Sequence, residues 1–178
     1  MSIDNQPEIK LRAVEPEDID LLFQWENNKE IWHLSNTITP FSRHILTKYI
    51  ETAHLDIYQT RQLRLMIDVL ENDKNQRTVG AIDLFDFEPF HQRAGIGILI
   101  SNTSDRNKGY ASAALQSLIE YAFKTLHLNQ LYCNLSPDNV SSIKLFRKHG
   151  FTEVGIKKMW NKTLTGYSDE ILLQLINK

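Results

Sequence analysis

The stretch from Arg93 to Ser136 most restricts the folds open to this chain. RAGIGILIS (93–101) is apolar on successive residues from Ile98 to Ile100, as in a strand covered on both faces. From Tyr110 a helix-forming run of about fifteen residues keeps Ala111, Ala114, Leu115, Leu118, Ala122 and Leu126 at helical spacing. LNQLYCNLS (128–136) reads as the next strand. A right-handed crossover would set the two strands parallel. The surrounding segments read as strands joined by turns: EIKLRAV (8–14), RQLRLMIDVL (61–70), RTVGAIDLFDF (77–87), FTEVGIKKMW (151–160) and YSDEILLQL (167–175). ENDKNQ (71–76) is the polar turn of a hairpin between the second and third of them. The expected fold class is therefore α+β (mixed α/β), with a mostly antiparallel sheet, one parallel strand pair and flanking helices.

Three further helical segments accompany the sheet. Pro16, Glu17 and Asp18 suit a first helical turn, and Ile19, Leu22, Phe23 and Trp25 then point toward a core. Residues 42–58 read as one helix with Ile45, Tyr49, Ile50 and Leu55 on one side. Asn139 suits the N-cap of a helix that closes at Gly150, with Arg147, Lys148 and His149 in its last turn.

A length of 178 residues suits a single domain spanning 1–178. A formal net charge of −2 argues against a chain that coats nucleic acid. No apolar run approaches the roughly 20 residues of a membrane span, so no membrane partner is expected. MSIDNQPEIK lacks a basic segment followed by an apolar one, and no secretory leader is expected. Cys133 is the sole cysteine, which rules out an internal disulfide and makes a reducing, cytoplasmic setting the expectation. No metal is expected.

SDRNKGYASAAL (104–115) carries the clearest chemistry. A helix start exposes about four backbone N–H groups, and its dipole adds roughly half a positive charge. Gly109 has no Cβ, so an anion can approach the main chain, and Arg106 and Lys108 add charge. Together these describe a cradle for a phosphate or pyrophosphate. The Walker pattern and the dinucleotide fingerprint are both absent. Arg106 to Gly109 alone read equally well as an ordinary turn with solvated cations.

Arg106-Asn107-Lys108-Gly109-Tyr110-Ala111 resembles the Q/R-x-x-G-x-G/A motif of the GNAT N-acetyltransferases. GIGILIS precedes it. The block from Asn139 to Phe151 follows at the family's distance and resembles N-x-x-[SA]-x-x-[LI]-Y-x-K-x-G-F. LRAVEPEDIDLLFQWENN resembles the opening of the branch that holds ribosomal-protein alanine acetyltransferases and bacterial spermidine or diamine acetyltransferases. The resemblance runs from about residue 8 to residue 174. It implies a sheet whose parallel strand pair splays apart, and acetyl-CoA as co-substrate. Backbone amides of Arg106, Asn107, Lys108, Gly109, Tyr110 and Ala111 would hold the pyrophosphate. Main-chain groups of Ile98, Leu99 and Ile100 would bind pantetheine, with the donor to the thioester carbonyl in the Leu99–Ile100 region. Asn139 would contact the pantetheine arm, and Phe146 lies in the second cofactor-contacting block. The implied reaction is direct acetyl transfer to a primary amine. At pH 7 such an amine is neutral in about one part in a thousand, a cost of roughly 4 kcal/mol, so the site must help remove a proton.

Two positions depart from the family pattern. Phe146 stands where many relatives carry a tyrosine that protonates the leaving thiolate. Gly95 stands where many carry a glutamate base. The substitute catalytic residues are Asp83, His91 and Tyr132, with Glu170, Tyr167 and Ser142 weaker. Each also has a plainer reading: a solvated strand position for Asp83, a structural turn histidine for His91, packing for Tyr132. Cys133 reads as a core residue. For the acceptor, Glu26, Glu30, Asp56, Asp83, Asp86 and Glu88 offer negative charge, and Trp25, Trp32 and Tyr49 offer aromatic walls. The expected acceptor is a small-molecule polyamine or diamine such as spermidine. The alternatives are the N-terminal amine of a ribosomal protein, or a CoA-binding module without turnover. Assemblies in the family range from monomers to large rings, so a homo-oligomer is among the expected states.

Overall fold

The computed structural model describes residues 7–32, 37–72, 75–163 and 165–178. Seven strands form one sheet: β1 (Ile9–Ala13), β2 (Leu63–Asn72), β3 (Asn75–Glu88), β4 (Arg93–Ile100), β5 (Gln130–Leu135), β6 (Thr152–Thr163) and β7 (Gly166–Ile176). Their spatial order is β1-β2-β3-β4-β5-β7-β6. Every neighbouring pair is antiparallel except β4 and β5. The helices are α1 (Ile19–Glu26), α2 (Arg43–Glu51), α3 (Ile57–Thr60), α4 (Tyr110–Lys124) and α5 (Val140–Lys148). None of the described helices is long and apolar enough to cross a membrane.

The two faces of the sheet carry separate cores. Alternation along the strands sends Ile82 and Leu84 of β3, Ile96 of β4, and Leu131 and Cys133 of β5 to one side. There they meet Ala114, Leu115, Leu118 and Ala122 of α4 and Ile143 and Phe146 of α5. The helical period puts the small α4 residues against the sheet, which lets the helix lie close. On the other side Met66 and Ala81 pack with Leu22 and Trp25 of α1 and Leu46 and Ile50 of α2.

Two local expectations change. Residues 42–58 form two helices, not one. Ser42 caps α2 by accepting from the Ile45 N–H at 3.2 Å. Asp56 then caps α3 by accepting from Tyr58 and Gln59 at 2.9 and 3.0 Å. An aspartate that satisfies two exposed N–H groups starts a new helix more readily than it sits inside one. Pro16–Asp18 is a short 3-10 turn leading into α1 rather than its first α-turn. The middle of the ENDKNQ turn, residues 73 and 74, lies outside the described residues.

Candidate active site

β4 and β5 pair over only three positions: Arg93 with Gln130, Ala94 with Leu131 and Gly95 with Tyr132. Beyond that point β4 runs on to Ile100 and β5 to Leu135 without pairing, so the strands part like a fork. Five residue steps of β4 make the open flank about 16 Å long. On its other flank β4 pairs with β3, Leu99 opposite Ala81, and Ser101 N–H donates to Val79 O at 3.0 Å. Backbone groups alternate sides along an antiparallel ladder. The N–H and C=O of Leu99 are therefore taken up by β3, and those of Ile98 and Ile100 face the fork. Of the expected main-chain groups of Ile98, Leu99 and Ile100, those of Ile98 and Ile100 face the fork, and those of Leu99 do not.

The wide end of the fork leads to the 106–112 loop. Asn107 and Gly109 both have left-handed backbones, with φ of 62° and 86°. Such a turn aims consecutive N–H groups at one point. Gly109 is the N-cap of α4, and no side chain caps the helix there. The N–H groups of Tyr110, Ala111 and Ser112 thus lack a helical carbonyl partner. A Cβ on Gly109 would stand 3.1 Å from Pro7 Cδ and would strain the turn. Lys108 Nζ is bonded at 3.1 Å to Asp105, whereas Arg106 is exposed. Asn139 caps α5, its Oδ1 accepting from the Ser142 N–H and the Ser141 hydroxyl, both at 3.2 Å. His149, the C-cap of α5, ties that helix to α4: Nδ1 donates to Gln116 Oε1 at 3.2 Å and Nε2 accepts from the Ser112 hydroxyl at 2.9 Å.

The narrow end of the fork opens on the face that carries α1 and α2. Phe85 of β3 lies over Gly95 and Gly97. A Cβ built on Gly95 would fall 2.3 Å from Phe85 Cε2. The phenyl ring therefore fills the space in which a side chain at position 95 would lie. Phe85 also meets Tyr132 edge-on at 6.2 Å. The Tyr132 hydroxyl donates to Asp86 Oδ2 at 3.3 Å. Asp86 has φ of 48° in the irregular pairing between Phe85 and Glu88, which turns it out of the β3 ladder. Burial, and then the nearby Asp86, raise the Tyr132 pKa, so the phenol keeps its proton at neutral pH.

On the same face of β3 as Phe85 stands a four-residue cluster. Arg64 donates to Asp83 through Nε and Nη2, at 2.8 and 3.0 Å, and to Glu26 through Nη1 at 2.5 Å. Its guanidinium lies 5.8 Å from the Tyr49 ring centre. Burial works against the arginine's charge, but the charges and hydrogen bonds of Asp83, then the charge of Glu26, outweigh it and hold the pKa above its ordinary value. Asp83 is thus the counterion of Arg64, with part of its side chain still exposed. Glu26, expected to face the amine, is tied to the same arginine.

The remaining candidates separate. His91 is exposed in the β3–β4 turn, edge-on to Phe90. Trp25 is only 9% exposed and belongs to the core, so it does not wall an open pocket. Trp32 Nε1 donates to Glu26 O at 2.8 Å at the end of α1. Glu30 is exposed. Phe146 is buried edge-on to Phe151 at 5.0 Å. Glu170 is buried in an ion pair with Lys157 at 2.8 Å, and Tyr167 is exposed on the β6–β7 hairpin. Burial pushes the Cys133 thiol up to about 12, which keeps it inert. Arg64 escaped the sequence reading because a lone arginine in RQLRLMIDVL gives no sign of its partners. Asp105 and Arg77 escaped it for the same reason.

A sheet forked beside a helix start with free amides defines an acyltransferase of the kind that carries its acyl group on a long thioester arm. The sequence profile of the acetyltransferase (GNAT) domain matches residues 8–152. The N-acetyltransferase p20 of Bacillus licheniformis is 31% identical over 96% of this chain and 93% of its own. The spermidine N(1)-acetyltransferase of Escherichia coli K12 is 27% identical over 83% of this chain and 74% of its own. In fold, the chain matches the crystal structure of Vibrio cholerae spermidine N-acetyltransferase in complex with CoA and spermine. The TM-score is 0.84, at 21% identity, over 97% of this chain and 96% of that one. The chain belongs to the GNAT acetyltransferase family. It is an N-acetyltransferase, and acetyl-CoA is its co-substrate.

The residues fit that co-substrate. Among the described residues no strand pairs with the fork side of Ile98 and Ile100, and α4 opens at Gly109 without a side-chain cap.

Proposed function

We propose that the chain acetylates a terminal amine of a small polyamine or diamine, with spermidine as the reference substrate. One observation carries this reading: the Tyr132–Asp86 pair stands at the closed end of the fork, on the face away from α4 and α5. Acetyl-CoA supplies the acetyl group, activated as a thioester. The amides of Tyr110, Ala111 and Ser112, with Arg106, hold its pyrophosphate, and Ile98 and Ile100 hold the pantetheine arm. The exposed carboxylate of Asp86 attracts an ammonium group and is positioned to take its proton, directly or through water. Tyr132 keeps a proton at Oη for the departing sulfur, the part that Phe146 has no hydroxyl to play. Arg64, Glu26 and Asp83 together leave one net negative charge on the same face of the sheet, which suits a second cationic nitrogen of the acceptor. The similarity to the Escherichia coli spermidine N(1)-acetyltransferase supports the same acceptor class.

The test is release of CoA thiol from acetyl-CoA in the presence of spermidine, spermine, putrescine and a peptide with a free N-terminal amine. The expected result is turnover with the polyamines and none with the peptide above background hydrolysis. Acetylation of the peptide alone would move the assignment to protein N-termini.

A further inference from the structure

Asp105 is a carboxylate with 3% of its surface exposed, at the foot of the loop that opens α4. Both its oxygens are engaged. Arg77 of β3 donates to Oδ1 from Nη2 at 2.7 Å and to Oδ2 from Nη1 at 2.8 Å, and Lys108 donates to Oδ1 at 3.1 Å. The Arg77–Asp105 contact joins the sheet to the loop across 28 residues of sequence, and the Lys108 contact folds the loop back over its own base. Between the two anchors lie Arg106 and Asn107, and Asn107 holds its backbone at φ 62°. A bidentate guanidinium–carboxylate pair fixes direction as well as distance, which a single contact does not.

We propose that Asp105, clamped by Arg77 and Lys108, is the positioning residue that presets the 106–112 amides for the diphosphate of coenzyme A. The inference rests on the reading that this loop holds the diphosphate. Lys108 acts on the anion through the loop's shape, and Arg106 is the side chain left to reach it. Arg77 and Lys108 hold the Asp105 carboxyl well below the usual carboxylate range, Arg77 the more strongly, so the clamp stays ionised in any ordinary buffer.

Calorimetry on the whole chain separates this role from general support of the fold. CoA and pantetheine share the thiol arm, but only CoA has the diphosphate. For Asp105→Asn the expected Kd for CoA rises about tenfold or more, as for loss of a charged hydrogen bond, with pantetheine affinity unchanged. Arg77→Lys keeps the charge without the fork. It should give the same pattern at smaller size, and it carries the test if the Asp105 variant does not fold. Equal weakening of both ligands, or unchanged CoA affinity in a folded variant, would overturn the positioning role. If the unaltered chain binds CoA no better than pantetheine, the diphosphate reading itself fails, and the result with the variants is not needed to see it.

Discussion

Arg64 on β2 grips Asp83 on β3 in a two-pronged contact, with Nε to Oδ1 at 2.8 Å and Nη2 to Oδ2 at 3.0 Å. The two are direct neighbours in the sheet register. The carboxylate that appears in sequence as an unclaimed base is therefore the arginine's counterion. Removing it has a structural effect in the first place. Asp83→Asn is expected to lower stability by about 1–2 kcal/mol, below the loss for a fully buried pair because both side chains keep some exposure. Its pH–rate profile should run parallel to that of the parent from pH 7 to pH 9. A turnover defect at pH 7 that recovers at pH 9 would return Asp83 to the role of base.

Tyr132 and Asp86 carry the opposite expectation. Tyr132→Phe deletes one hydroxyl and keeps the edge-on contact with Phe85. It should lower kcat by about 100-fold, with KM for acetyl-CoA within about twofold, because the proton is needed only as the sulfur departs. Asp86→Asn keeps a residue type that tolerates the left-handed backbone at φ 48°, so its effect reports charge and not strain. It should raise KM for a polyamine and leave KM for acetyl-CoA alone. Steady-state kinetics with both substrates varied checks each claim. Unchanged kcat in Tyr132→Phe would leave the sulfur to depart without an acid.

The sequence was informative where one residue type determines local geometry. Gly109, Gly150 and Asn139 declare turns and caps by themselves, and the period change around Tyr110 announces the crossover that makes β4 and β5 parallel. What it hid are partnerships. Arg64 lies 38 residues from Glu26 and 19 from Asp83 along the chain; the sheet register brings it to Asp83, and the packing of α1 on the sheet brings it to Glu26. Trp25 looked available as a pocket wall because its helical position fits either face of a short helix, and packing against Met66 and Leu22 decides the matter. The fork was expected from the family resemblance. Which of its amides are free depends on the β3–β4 register, and alternation along β4 does not reveal that register.

Gly95 gives a steric prediction. Its absent side chain is the room occupied by Phe85, with Cε2, Cζ and Cδ2 all within 2.7 Å of an added Cβ. Gly95→Ala should cost about 1–3 kcal/mol through overpacking. In a Phe85→Leu background much of that cost should vanish, seen as a favourable coupling in a double-mutant cycle of denaturant unfolding. Gly95→Glu, which restores the residue type many relatives carry, should behave worse than alanine. Additive effects of the two substitutions would show that the ring moves aside freely.

His149 gives a pH dependence whose sign is fixed by its contacts. Burial, and then the charge of Lys148, lower its pKa from the ordinary 6.5. Nε2 accepts from Ser112 only while it is unprotonated. The folded state thus binds the imidazole proton more weakly than the unfolded state, and stability must rise with pH wherever that difference is felt. The contribution is complete above about pH 6.5 and is lost as pH falls from there through the folded-state value. His149→Gln has no titrating group. The stability difference between pH 7.5 and pH 5 should therefore be smaller in this variant than in the parent, measured by urea unfolding at each pH. Because Ser112 sits in the first turn of α4, CoA affinity in the parent should weaken only where pH falls through the folded-state value, since the native imidazole takes its proton there. An identical slope of stability against pH in both proteins would mean that the imidazole titrates alike in the folded and unfolded chain.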